Sequence, residues 1–313
     1  MKHETKEQIV QSLEEFMTLH KMSANDVAKK SGVNSSYISC MRSGSFQTNA
    51  GDKIVDIADK YFESIAAYIN FTLEKNYWEA VPTSQMKQIL SILEDAKEYG
   101  YTNVIIGPTG CGKTFVSQLF ARNYPIDCFI ITVGSQDNLS DIIDKICERL
   151  GVPTEKTKSK TLRMITRKLK IMRMEGHRPM FVFDESEYMK LPALCNMKEL
   201  YDNLYGICSI IMMGTEQLLR HLDKMRKKNR DGIPQLYRRI KFGIRELQSI
   251  DRSFKQFLNG DLNDPQVIKF LRENCENYGE LHDVLVPAMR EADRTGQPLT
   301  ENLIRTMLNM PKL

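Results

Sequence analysis

No apolar run in this sequence is long enough to cross a bilayer. The longest, such as Ser209–Gly214, fall far short of the roughly 18 to 20 residues a membrane helix needs. The N-terminus is charged and amphipathic rather than signal-like, so no membrane partner and a cytoplasmic location are expected. Cysteine pairing is missing too. The seven thiols (Cys40, Cys111, Cys128, Cys147, Cys195, Cys208 and Cys275) are odd in number and scattered, with no CxxC pair. That argues against disulfides and a zinc site, and for thiols in a reducing compartment. Low-complexity tracts are absent, and 17 Gly and 11 Pro with 42% hydrophobic and 27% charged residues exclude a disordered or fibrous chain. The 313 residues fit about two domains of roughly 150 residues each, which excludes a lone binding peptide.

Net charge is also small, at +4, but it is unevenly placed. Residues 155–178 carry nine basic and two acidic side chains, and residues 220–245 carry ten and two, so the rest of the chain is net acidic. Positive charge gathered into two segments is what a polyanion-binding surface requires, because phosphate contacts act through local potential. Two solvated helix faces are the alternative. On a helix over residues 161–174, Leu162, Ile165, Leu169 and Met172 share one face, and Lys160, Arg163, Arg167 and Lys170 fall opposite. The second segment, with Lys224, Arg226, Lys227, Lys228 and Arg230 ahead of Gly232 and Pro234, reads as an exposed loop able to follow a phosphate backbone.

The N-terminal residues predict a helical module. Ile9, Leu13, Phe16 and Met17 recur at helical spacing. Ser23 can cap a second helix with Val27 and Ala28 facing inward, Gly32 supplies a turn, and a short third helix runs through Ser35, Ser36, Tyr37, Ile38 and Met41. This pattern resembles the phage-repressor type of helix-turn-helix, which implies that Ser35, Ser36, Tyr37 and Arg42 face a major groove. Residues 1–80 hold nine basic and eleven acidic groups, so a phosphate grip there would be local and an auxiliary role is credible. Two amphipathic stretches, near residues 52–61 and 64–75, complete an expected all-helical bundle, followed by a short linker.

The clearest chemistry follows the β-branched run at residues 103–106. Gly107, Pro108, Thr109, Gly110, Cys111, Gly112, Lys113 and Thr114 lead into an amphipathic helix, the strand, loop and helix of a P-loop nucleotide site. The glycines let backbone N–H groups surround phosphate oxygens, Lys113 neutralises the β and γ phosphates of ATP, and Thr114 ligates Mg²⁺. About seventy residues later, an apolar strand, Met180–Asp184, ends in Asp184 and Glu185. It reads as Walker B: Asp184 joins the magnesium shell and Glu185 polarises the attacking water. A helix cap for Tyr188 onward is the other use of paired acids. A third strand, Ser209–Gly214, ends at Thr215.

Together these motifs resemble the AAA+ class of P-loop ATPases. The resemblance implies that Thr215 is the sensor-1 residue, with a simple turn residue as the alternative. It also implies that Arg239, with Arg238 in reserve, is an arginine finger acting on a neighbouring subunit's nucleotide. The helical residues after Leu247, expected over 254–258, 265–274, 279–290 and 300–308, suit the class's small lid. Where the class has Gly-x-Leu-Arg, this chain has Gly279-Glu280-Leu281-His282, so His282 stands at the sensor-2 position and departs from the pattern. The expected fold is α/β: a P-loop AAA+ parallel-sheet core at 84–246 with a small helical lid at 247–313. An all-α helix-turn-helix domain at 1–76 and a linker at 77–83 precede it.

A repressor-like module, a linker, an AAA+ core and a short lid in this order resemble the bacteriophage Mu B protein family. Residues 86–89 leading into the core, the strand ending Met213-Gly214-Thr215 and residues 236–240 carry the resemblance. It implies ATP-bound subunits that polymerise as a filament or ring on double-stranded DNA with little sequence preference and activate a DDE-type transposase, in a bacterial or phage-infected cytoplasm. A helicase loader and, more distantly, a transcription regulator with a signalling ATPase are the alternatives. The Walker motifs alone do not separate them.

Overall fold

The computed structural model describes residues 1, 3–50, 53–69, 71, 77–258 and 264–311. The chain divides into two compact units, Met1–Asn76 and Tyr77–Leu313.

The first unit holds α1 (His3–Leu19), α2 (Ala24–Ser31), α3 (Ser35–Arg42), β1 (Gln47–Ala50), β2 (Lys53–Asp56) and α4 (Asp59–Tyr68). Ser23 and Asp26 cap α2 reciprocally, as S-x-x-D spacing allows. Gly32 then takes φ 71°, the left-handed turn that lets α3 fold back, and Asn34 caps α3. Ile9, Leu13, Val27, Val33, Ile38, Met41, Phe62 and Ile65 form a single core. One expectation is corrected here. Residues 53–56 are not helical but pair antiparallel with β1, Thr48 opposite Val55 and Gln47 opposite Asp56. Ile54 and Val55 are β-branched neighbours, restricted at χ1 in a helix and suited to a strand, and both are exposed. The helix begins only at Asp59 and ends at Tyr68, and residues 52, 70 and 72–75 of the two expected stretches lie outside the described residues.

The second unit is built on a five-stranded parallel sheet in the order β4-β5-β6-β3-β7. Its strands are β3 (Thr102–Ile106), β4 (Cys128–Thr132), β5 (Met180–Asp184), β6 (Ser209–Gly214) and β7 (Ile244–Glu246). Each central strand alternates its side chains between two apolar layers, the pattern of a sheet covered on both faces. Ile105, Val182 and Ile211 pack with Ile89 and Leu93 of α5 (Ser84–Tyr99) and Val116 and Phe120 of α6 (Lys113–Asn123). Val104, Phe181 and Met212 pack on the other face against α7 (Leu139–Leu150), α8 (Lys158–Met174), α9 (Leu191–Leu204), α10 (Glu216–Lys227) and α11 (Ile233–Ile240). Strand β6 thus lies between β5 and β3, which brings the ends of the three motif strands side by side.

The lid consists of α12 (Pro265–Asn274), α13 (Tyr278–Thr295) and α14 (Glu301–Met307), with a core of its own that includes Phe254, Phe270, Leu281 and Ile304. Residues 254–258, expected as a helix, form turns instead, because Phe254 sits at φ 48° and interrupts helical geometry. Among the described residues, no helix is long and apolar enough to cross a membrane.

Candidate functional site

The loop between β3 and α6 is shaped by its glycines. Gly110 and Gly112 take φ 71° and 92°, and the Gly107 N–H donates to the Gly214 carbonyl at 3.1 Å, tying the loop to β6. Lys113 folds back over it, its Nζ donating to the carbonyls of Gly107 at 2.8 Å and Pro108 at 2.9 Å. The N-cap of α6, Gly112, offers no side-chain acceptor, so the first-turn N–H groups keep the capacity to bind an anion. Thr109 belongs to the same turn. Cys111 is buried, and that burial pushes its thiol up despite Lys113 nearby, so it remains neutral.

The expected metal pair meets across the sheet. Thr114, at the second position of α6, donates its hydroxyl to Asp184 Oδ2 at 2.5 Å. Asp184 is 1% exposed, and its other oxygen accepts the Glu185 N–H at 3.0 Å. These are hard oxygen donors, and among the described residues no group of three or more His, Cys, Asp or Glu side chains could hold a metal. That donor set fits Mg²⁺, which keeps waters and takes phosphate oxygens rather than an all-protein cage. Glu185 lies just beyond, exposed, at φ 56° and with no side-chain cap bond, so it does not serve as the alternative helix cap. Its carboxyl is raised above the usual range by desolvation first, then by Asp184 and Glu187, with Lys113 opposing.

Thr215 stands at the end of β6, between the β5 and β3 termini. Its hydroxyl accepts the Gln217 N–H at 3.3 Å as the N-cap of α10. Glu187 went unnoticed in the sequence. Its Oε2 is buried without a hydrogen-bond partner, and a Cβ added to Gly214 would lie 2.8 Å from it. The only signal was a third acid soon after Asp184.

The lid touches the loop directly. The Gly279 N–H donates to the Gly110 carbonyl at 3.3 Å, and a Cβ on Gly110 would sit 2.0 Å from Asn277 Oδ1. His282, by contrast, contacts Asp283 at 2.9 Å and meets Trp78 edge-on at 5.1 Å. Arg239 is also engaged: it donates to Asp202 at 2.6 Å and to the Gln235 carbonyl at 2.9 Å. Arg238 is exposed, with no hydrogen-bond or ion-pair partner among the described residues.

Helix α8 presents its basic row as expected. Leu162, Ile165, Leu169 and Met172 are buried, while Lys160, Arg163, Arg167 and Lys170 are exposed and form no ion pair among the described residues. The second basic segment is not a loop throughout. Lys224, Arg226 and Lys227 form the last turn of α10, where cations favour the helix C-terminus, Lys228 is its C-cap, and Arg230 follows. Arg226 is paired with Asp223 at 3.1 Å and stacks on Tyr237. In the first unit, Arg42 does not project freely: Glu14 of α1 accepts from it at 2.5 and 3.1 Å. Tyr37 packs edge-on against Tyr61, and the Ser36 hydroxyl donates to Asn34, leaving Ser35 beside it on α3.

A family model described as an AAA domain matches residues 97–222. A Mu-like prophage FluMu DNA transposition protein B from Haemophilus influenzae is 23% identical over 211 residues, covering 67% of this chain and 70% of the relative. Among solved structures, the ADP form of an Aeropyrum pernix ORC2 protein is similar at TM-score 0.53 and 16% identity, covering 75% of this chain and 71% of that one. A Cdc6p from Pyrobaculum aerophilum is similar at TM-score 0.52 and 14% identity, covering 75% and 69%. In its ADPNP–ADP complexes the ORC2 protein is matched over 66% of its length, at TM-score 0.49 and 18% identity. The fold is the parallel-sheet P-loop fold of AAA-type proteins, and the domain match and the curated relative together support a Mu B-like family.

Proposed function

We propose that this Mu B-like chain is an ATP-dependent, largely sequence-nonspecific DNA-binding ATPase that oligomerises on duplex DNA. In that state it would select transposition targets and activate a DDE-type transposase. The observation that carries the nucleotide part is the Thr114–Asp184 hydrogen bond beside the Lys113 loop, with the β6 end between β5 and β3. The transposition part rests on the name of the Haemophilus relative.

In this reading the loop amides and the α6 N-terminus bind the phosphates, and Lys113 leaves its carbonyl partners to neutralise them. Thr114 and Asp184 would hold Mg²⁺, which supplies charge neutralisation at the phosphates when bound. Glu185 orients and deprotonates the attacking water. The finger assignment falls on the α11 terminus, where Arg239 must leave Asp202 to reach a neighbour and Arg238 is already exposed. DNA is followed by the α8 row, with Lys224, Lys227, Lys228 and Arg230 as further phosphate contacts. The Gly32 turn between α2 and α3 supports a helix-turn-helix, but with Arg42 and Tyr37 engaged its DNA contact is auxiliary.

The test compares DNA binding with and without ATP. Wild type should bind duplex DNA only with ATP, and Lys113→Ala should abolish that nucleotide-dependent binding. Equal DNA binding by both proteins, with or without ATP, would overturn the reading.

A further inference from the structure

Helix α5 buries Gln85, Ile89, Leu93 and Ala96 on one face, and a primary amide is an expensive choice for the first of these positions. Gln85 is 0% exposed, and its polar atoms are all satisfied. Its Nε2 donates to the carbonyls of Gln248 at 3.0 Å and Ser249 at 2.7 Å, in the segment that joins β7 to the lid. Its Oε1 accepts the Tyr278 hydroxyl, from the first residue of α13, at 2.9 Å, and the neighbouring Ser84 hydroxyl at 3.2 Å. Gln88, one turn later, accepts the Gln248 N–H at 3.1 Å.

The groups held this way are the ones that touch the phosphate loop. Leu247, whose N–H donates to the Ile106 carbonyl at 2.8 Å, packs so closely on Gly107 that a Cβ there would meet it at 2.7 Å. Asn277 and Gly279, flanking Tyr278, sit on Gly110. Asn277 is itself fixed, since its Oδ1 accepts the Glu280 N–H at 2.9 Å and its Nδ2 donates to Glu280 Oε1 at 2.8 Å. One buried amide therefore joins α5, the hinge and the lid at the point where both lid and hinge lie against the loop.

We propose that Gln85 is a positioning residue for nucleotide turnover: its side-chain amide locks α13 and the 247–249 hinge to α5, and so holds Asn277, Gly279 and Leu247 against the phosphate loop. This rests on the reading of that loop as the nucleotide site. Gln85 touches no phosphate itself and acts through Tyr278 and the hinge carbonyls.

The chain has a single tryptophan, Trp78, just ahead of α5, stacked on Phe257 of the lid at 4.7 Å and 16°. It reports lid placement without a label. In the full-length chain, Gln85→Met removes every side-chain hydrogen bond at similar length, and Tyr278→Phe removes only the hydroxyl. Without nucleotide, acrylamide quenching of Trp78 should rise about twofold in Gln85→Met and less in Tyr278→Phe, as the lid opens locally. With ATP, kcat should fall about tenfold in Gln85→Met while KM stays within about threefold, the split expected of a group that acts in turnover and not in binding. Unchanged quenching in both variants, or a kcat equal to wild type, would overturn the proposal. A wild-type chain that binds no ATP would overturn the nucleotide reading instead, and quenching, which needs no ligand, would still decide whether Gln85 holds the lid.

Discussion

Glu185 occupies a position where position and titration pull together. Desolvation and its acidic neighbours hold its carboxyl above the usual range, so its basic form is lost sooner as pH falls. ATP turnover should therefore show an acidic limb above the ordinary carboxylate range, and Glu185→Gln should abolish turnover while retaining ATP and lengthening the DNA-bound lifetime. The same shift has a stability consequence of definite sign. An acid whose folded-state pKa is raised disfavours the folded state once ionised and costs nothing when protonated in both states. Thermal melts should show Glu185→Gln more stable than wild type at pH 7, with the gain disappearing as pH drops through the carboxylate range. A gain that grows toward low pH would contradict the assignment. Gly110 offers a second test. An alanine there must adopt φ 71° and place its Cβ against Asn277, a left-handed strain of about 1 to 2 kcal/mol before any clash. Calorimetry should find ATP binding weakened about tenfold or more, whereas Gly176→Ala, also left-handed but with nothing near its Cβ, should leave it unchanged.

Among the elements, α8 offers the most direct test of the proposed DNA contact. Its apolar face is buried and its cations face solvent without ion pairs among the described residues, so replacing Lys160, Arg163, Arg167 and Lys170 with Gln leaves the packing intact. Each lost phosphate contact should flatten the dependence of log K on log salt by about 0.9. An unchanged slope, with helix content preserved by circular dichroism, would assign α8 to a solvated face. The elements also mark the limit of sequence reading. The phosphate loop, the β5 terminus and the α8 stripe were legible because each is a local pattern: glycines before Lys113, apolar residues before Asp184, a 3.6-residue period. Local pattern failed where partners are distant. Nothing near Gln85 announces Tyr278, nothing near Arg239 announces Asp202, and Glu14 lies far from the Arg42 it pairs with. At residues 53–56, pairing with β1 overrode a helical reading, and at Phe254 a single positive φ ended one.

At the scale of the whole molecule, the account joins an AAA-type core and its lid, Tyr77–Leu313, to a mostly helical unit, Met1–Asn76. The core's fold stands on the sheet order, and its similarity to a Mu-like transposition protein B is 23% identity over 67% of the chain. The proposed function turns on assembly: in that reading an arginine at the α11 terminus serves a neighbour's phosphates, and exposed cations gain from being repeated along a duplex. Electron microscopy of the full-length chain with duplex DNA and a slowly hydrolysed ATP analogue tests this most directly. Ordered filaments or rings on DNA should form with the analogue and be absent with ADP or with no nucleotide. Isolated single copies on the DNA in every nucleotide condition would contradict the account.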